Sequence, residues 1–258
     1  MLARGIWLRS RLRGRLTARV GFDFQAAYDE LNPADDDYLF YAALAASAGV
    51  SRAVDLGCGT GTLARMLASG GMSVTGVDPD PDMLRVARSR DPEGRVDWRP
   101  GYSGAIGTES AEFAVMSGHV AQVFTEDVAW LAALEDLHRA LAPGGLLAFE
   151  SRNPGARKWE AWTRELTLRT AETPEGAVEI WHETAAVRLP LVSYDTLTRN
   201  LRTGEATTSR DVLAFRDERS LRASLEHADF KVDNVYGDWD QAPPSVAAPE
   251  LIVIARKP

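Results

Sequence analysis

The sequence predicts an α/β protein built on a doubly wound, mostly parallel sheet, carrying a small antiparallel β insert between residues 154 and 216. Three observations lead there. Apolar runs of strand length alternate with helical stretches from residue 52 to 150. The run Arg52-Ala-Val-Asp-Leu-Gly-Cys-Gly-Thr-Gly61 reads as a strand entering a glycine-rich turn that opens a helix. Residues 178–216 hold three β-rich runs in place of a further helix.

Taken in order, an apolar helix is predicted over 38–48 and stops at Gly49, as helices often do. Strand one follows at 52–56, a helix at 62–69, strand two at 73–77, a helix at 81–89, strand three at 95–98 and strand four at 112–116. A helix over 127–141 then ends at Ala142-Pro143-Gly144-Gly145, read as a helix stop and reversal before strand five at 146–150. Past Pro154 a helix is predicted, placing Trp159 and Trp162, i and i+3, on one face. The runs 178–189, 192–202 and 206–216 read as a small antiparallel sheet, the last two joined at Thr203-Gly204-Glu205. A capped helix at 220–227 and strands at 231–237 and 250–257 complete the chain.

At 258 residues the chain suits one such domain with a small elaboration. A net charge of -8 argues against a nucleic-acid partner, because phosphate binding calls for a basic surface. The single cysteine, Cys58, excludes an intrachain disulfide, and nothing points to an oxidising compartment. The first twenty residues carry Arg4, Arg9, Arg11, Arg13, Arg15 and Arg19 with no acidic residue before Asp23. Residues 1–22 are expected to be a disordered extension or an over-long start, with a basic arm or presequence as the other reading. No apolar stretch approaches a membrane span, so a cytoplasmic protein without a membrane partner is expected. No His or Cys pair stands at ligand spacing, and no metal is expected.

Gly57, Gly59 and Gly61 remove the Cβ atoms that would keep a ligand from the backbone. The spacing is D-x-G-x-G-x-G, and Thr62 stands where a dinucleotide fingerprint carries its last glycine. Asp55 before the turn would repel a pyrophosphate and attract an ammonium group. Simple turn chemistry in a doubly wound sheet, and a nicotinamide-binding protein, are the alternatives. The run from Asp55 to Gly61, followed by Val77-Asp78-Pro79, resembles motif I and the acidic strand end of the class I S-adenosylmethionine-dependent methyltransferases. The Leu-x-Pro-Gly-Gly turn at 141–145 agrees, so the resemblance spans roughly residues 50 to 150.

The resemblance implies a Rossmann-like, seven-stranded sheet with an antiparallel last strand, and S-adenosylmethionine as cofactor. It implies that Asp55, Gly57, Cys58, Gly59 and Gly61 hold the methionine part and that Asp78 accepts hydrogen bonds from the ribose diol. Pro79 and Met83 would lie against the adenine. Where the family shows Gly-Asp-Ala after strand three, this chain reads Gly101-Tyr102-Ser103. The acidic adenine contact is missing, leaving the Tyr102 ring or hydroxyl and the Ser103 amide to serve, with Ile106 packing the ring. Tyr28 either closes the cofactor site or packs in the core.

Methyl transfer is an in-line displacement from an activated donor, so alignment and exclusion of water are the main tasks. Ser117-Gly118-His119-Val120-Ala121-Gln122 opens from the end of strand four, where ligands bind in this topology. His119 either takes a proton from the nucleophile or bonds the cofactor carboxylate and caps a turn. Gln122, Arg152, His182 and Tyr194 are candidate substrate residues, Arg152 as a bidentate partner for a carboxylate; surface or core roles are the alternatives for His182 and Tyr194. Asn153 before Pro154 reads as a helix N-cap. The expectation is a cofactor core over 23–153 and 217–258, a substrate-shaping insert at 154–216, and a small-molecule methyl acceptor. A protein or RNA acceptor, suggested by the arginine-rich start, and a cofactor binder without catalysis, suggested by Gly-Tyr-Ser, are the other readings.

Overall fold

Strands that read as near-continuous apolar runs can be stable only when both faces are covered, and the computed structural model covers them. It describes residues 25, 28–31, 36–173 and 176–258; the arginine-rich extension lies outside the described residues. The first elements among the described residues are α1 (Tyr28–Leu31) and α2 (Asp36–Ser47). It continues through β1 (Arg52–Leu56), α3 (Thr62–Ser69), β2 (Ser73–Asp78), α4 (Pro81–Ser89), β3 (Val96–Pro100), β4 (Ala111–Met116) and α5 (Asp127–Ala140) to β5 (Leu141–Arg152). After α6 (Arg164–Thr167) come β6 (Arg169–Ala171), β7 (Val178–Arg188), β8 (Leu191–Asn200) and β9 (Ala206–Ala214). The chain then closes with α7 (Glu218–His227), β10 (Lys231–Tyr236) and β11 (Glu250–Arg256).

Seven strands form one sheet in the order β10-β11-β5-β4-β1-β2-β3. All pairs between β5 and β3 are parallel, and β11 runs antiparallel to both β5 and β10. One face packs Val54, Leu56, Leu147 and Phe149 on Trp130 and Leu134 of α5 and Leu221 and Leu225 of α7. The other packs Ala53, Phe113, Val115 and Ala148 on Tyr41 of α2 and Leu63 and Leu67 of α3. Each fully buried aromatic or leucine side chain contributes about 1.5–3 kcal/mol through removal from water. The strand order reverses between β1 and β4, and the crevice at the carboxyl ends of these strands holds the residues that follow.

Three details differ from the sequence expectation. Strand β5 starts at Leu141, directly where α5 ends, instead of after a reversal. Leu141 pairs with Ala111, the register slips before Phe113, and Gly144 and Gly145 bond to Lys257, so the Pro-Gly-Gly segment is a bulge inside the sheet. The helix expected after Pro154 is two 3-10 turns, Pro154–Ala156 and Lys158–Ala161, broken at Arg157 in the left-handed region (φ 50). Asn153 caps the first turn by accepting from Gly155 N–H at 3.0 Å, and its amide donates to the carbonyls of Ser245 and Ala248. A Cβ at Gly155 would lie 2.4 Å from the Val246 oxygen, so the chain is pinned too closely to the 237–249 loop to wind an α-helix.

The insert sheet has four antiparallel strands, β6-β7-β8-β9, where three were expected. At three residues β6 is too short to show a period. One apolar patch of this sheet, Ala171, Val178 and Ile180, packs on Tyr28 and Met83. The other, Val192 with Phe215, packs on Trp159 and Trp162.

Candidate active site

The glycine turn is shaped by contacts on one side and open space on the other. Gly61 (φ 81) lets α3 start against β3, since a Cβ there would lie 2.3 Å from the Trp98 ring. Gly59 (φ 53) has no atom within 4 Å of where its Cβ would stand. Its N–H donates to Asp78 Oδ2 at 2.9 Å, and the other oxygen of Asp78 accepts from Asp80 N–H at 2.8 Å. Burial pushes Asp78 up to about 6 against the pull of those two bonds. Cys58 is buried with its sulfur against Gly76, and burial pushes its thiol up, so only its backbone serves the turn.

Asp55 is the least satisfied group of the site. It is fully buried, no donor meets its oxygens in good hydrogen-bond geometry, and the neighbouring Ala64 N–H offsets that burial only in part. Burial, then the charges of Asp78 and Glu150, raise it to about 7. A buried carboxylate with so little to offset its charge is expensive, and a ligand ammonium group would satisfy it. The open side of Gly59 and the Asp78 carboxylate lie on the same crevice, at the ends of β1 and β2. These residues fit the methionine and ribose parts of S-adenosylmethionine.

Tyr28 of α1 and Met83 of α4 both pack on the insert patch of Ala171, Val178 and Ile180. Helix α1, which carries Tyr28, is fastened over the turn by Asp29, a residue that no sequence pattern singled out. Its carboxylate accepts from the hydroxyls of Thr60 and Thr62, the latter at 3.1 Å, and pairs with Arg90. Ser103 donates its hydroxyl to Asp136 of α5 at 2.7 Å, which leaves its backbone as the part free to meet a ligand in the expected reading. Tyr102 is half-buried at the start of that 3-10 turn. Ile106, which follows that turn, is buried in the cluster that also holds Val54, Leu56 and the apolar face of α5.

At the end of β4, Ser117 is buried and His119 takes the left-handed region (φ 63). The His119 N–H donates to Glu150, and its Nε2 lies 3.1 Å from Glu250 Oε2. Glu150 is fully buried, also accepts from the Tyr41 hydroxyl, and is raised by that burial. Sequence reasoning passed over both glutamates, although an acid closing the apolar run Leu146-Leu-Ala-Phe149 was a legible signal for Glu150.

Gln122, Arg152, Tyr194 and His182 join in one chain of contacts. Gln122 is fully buried; its Oε1 accepts from Arg152 Nη1 at 3.0 Å and its Nε2 donates to the Ala214 carbonyl at 3.3 Å. The Arg152 guanidinium carbon lies 5.7 Å from the centre of the Trp162 ring, which meets Tyr194 at 5.0 Å. Tyr194 meets the His182 ring at 5.5 Å, and His182 Nδ1 lies 3.1 Å from the Thr196 hydroxyl. Trp162, missed as a site candidate, is the link between β5 and the insert. Among the described residues no three of His, Cys, Asp and Glu are grouped to hold a metal ion, and no helix is long and apolar enough to cross a membrane.

Residues 53–145 match the family described as "Methyltransferase domain". The chain is 35% identical over 106 residues to trans-aconitate 2-methyltransferase of Rhizobium meliloti (strain 1021), covering 38% of this chain and 37% of that protein. It is 38% identical over 96 residues to ubiquinone biosynthesis O-methyltransferase of Methylobacterium sp. (strain 4-46), covering 36% and 37%. The chain thus spans little more than a third of the length of these two relatives. Among solved structures, the CcbJ methyltransferase from Streptomyces caelestis superposes with a TM-score of 0.76 at 17% identity, over 93% of this chain and 98% of that one. An amino pentose methyltransferase from Micromonospora echinaspora, with S-adenosylmethionine bound, superposes with a TM-score of 0.66 at 18% identity, over 92% and 98%. These structural likenesses establish a shared fold.

Proposed function

We propose that this chain, a class I S-adenosylmethionine-dependent methyltransferase by its matched domain and its sheet, transfers the methyl group to a nucleophile on a small molecule. One observation carries the reading. Asp55, buried with only the Ala64 N–H to offset its charge, the open flank of Gly59 and the Asp78 carboxylate follow one another at the strand ends in the order that an ammonium, a backbone-hugging chain and a diol require. When bound, S-adenosylmethionine supplies a methyl group already activated by a sulfonium. The protein's own residues then align the acceptor, exclude water and take up its proton. His119, held by Glu150 and Glu250, is the proton acceptor in this reading, and Gln122, Arg152, Tyr194 and His182 line the acceptor's place. The segment 154–216 serves as the substrate-shaping insert over the core of 23–153 and 217–258. Relatives named for trans-aconitate and ubiquinone biosynthesis support a small acceptor. The net charge of -8 supports the absence of a nucleic-acid partner, and a cytoplasmic setting belongs to the same reading.

Titration calorimetry with S-adenosylhomocysteine, with NAD as control, tests the assignment. Micromolar binding of the first alone is expected, and binding of neither would overturn it. Asp78→Ala should weaken that binding by about 1.5–3 kcal/mol, the scale of hydrogen bonds to a charged acceptor. Unchanged affinity would remove Asp78 from the site.

A further inference from the structure

Arg152 and Glu250 stand directly opposite each other in the β5–β11 ladder. Side chains of such a pair leave the sheet on the same face, with Cβ atoms about 5 Å apart, an ordinary setting for a cross-strand ion pair. These two do not pair. Glu250 turns to His119 Nε2 at 3.1 Å. Arg152 turns away, giving Nη1 to the neutral oxygen of Gln122 at 3.0 Å and stacking on Trp162. Among the described residues no carboxylate lies within ion-pair distance of Arg152, and its Nε and Nη2 make no hydrogen bond. A half-buried guanidinium is therefore held fixed on one side by a buried glutamine and a ring, with its two-pronged donor edge unused. That edge matches a planar carboxylate in geometry and charge. The nearby carboxylates of Glu150 and Glu250 disfavour a dianion such as phosphate.

We propose that the methyl acceptor carries a carboxylate, which docks on the Nε and Nη2 edge of Arg152, and bears its nucleophilic hydroxyl or amine only a few bonds away. This rests on the methyltransferase reading above. The short separation follows from the ladder: the anion-binding side chain and the partner of His119 start from opposed positions. In the transfer, the nucleophile's lone pair forms the bond to the methyl carbon, and the carbon–sulfur bond breaks with its pair left on sulfur. The nucleophile's proton passes to Nδ1 of His119, while Nε2 donates to Glu250. Glu250 is thus a positioning residue and Arg152 a specificity residue.

The test uses the full chain saturated with S-adenosylhomocysteine, titrated calorimetrically with 3-hydroxybutyrate, serine, salicylate and anthranilate, each beside its primary amide. At least one acid should bind tenfold or more tightly than its amide. In Arg152→Gln the preference should shrink to within twofold, with S-adenosylhomocysteine affinity within twofold of wild type. Arg152→Lys, which keeps the charge and loses the fork, should retain part of the preference. Amides that bind as well as the acids, no acid binding to the loaded protein, or equal weakening of acid and amide in Arg152→Gln would each overturn the proposal. The wild-type comparison stands even where a variant fails to fold. Failure of S-adenosylhomocysteine to bind the wild type is a separate result, and it sinks the methyltransferase reading instead.

Discussion

Asp55 holds its proton up to about pH 7 in the folded chain, against an ordinary value near 4. Between those values the folded state binds more protons than the unfolded one, so the carboxyl's contribution to stability falls as pH rises from about 4 to 7. Asp55→Asn removes that term. Its stability relative to wild type should climb by roughly 2–4 kcal/mol across that range, read from urea melts at several pH values. A flat difference would show that Asp55 is solvated. A ligand ammonium group prefers the ionised carboxylate, so wild-type affinity for S-adenosylhomocysteine should drop below pH 7, and the variant should lose that dependence. His119→Ala should reduce turnover by about 100-fold if the imidazole accepts the proton, with cofactor affinity unchanged. Turnover within a few-fold of wild type would assign His119 to the turn geometry alone.

At the scale of elements, the glycine turn separates folding from binding. Gly61→Ala drives a methyl group into Trp98 at a left-handed position, and should cost about 2–4 kcal/mol of stability, measured by chemical denaturation. Gly59→Ala meets nothing within 4 Å. It should cost only about 1–2 kcal/mol through its positive φ, yet abolish measurable cofactor binding, because the new methyl occupies the ligand's approach. Equal stability losses with binding retained in Gly59→Ala would place the cofactor elsewhere. The same scale shows where sequence reasoning slipped. Leu141 and the Pro-Gly-Gly bulge belong to β5 because Ala111 and Lys257 pair with them, and those partners are distant in sequence. The helix expected at Pro154 fails because Asn153 and Gly155 are tied to residues 245–248, a contact that no local propensity encodes.

For the whole molecule, the insert meets the core at the patch it forms with Tyr28 and Met83 and at the contacts of Gln122 with Ala214 and of Arg152 with Trp162. Removal of residues 1–20 should leave turnover of a small acceptor within twofold. A large loss would favour a protein or RNA acceptor contacted by the basic extension.

The sequence by itself determined the alternation that makes a parallel sheet, the glycine spacing, Asp55 and Asp78 at the two strand ends, and His119 at the third, since each is written in neighbouring residues. Only the tertiary structure decided that Glu150 and Glu250 hold His119, that Asp29 fastens α1 over the turn, and that Arg152 turns from Glu250 to Gln122 and Trp162. Those contacts join residues 10 to 131 positions apart in the chain. Periodicity and spacing report what a segment is, whereas the choice of partner follows from the strand order that brings distant segments side by side.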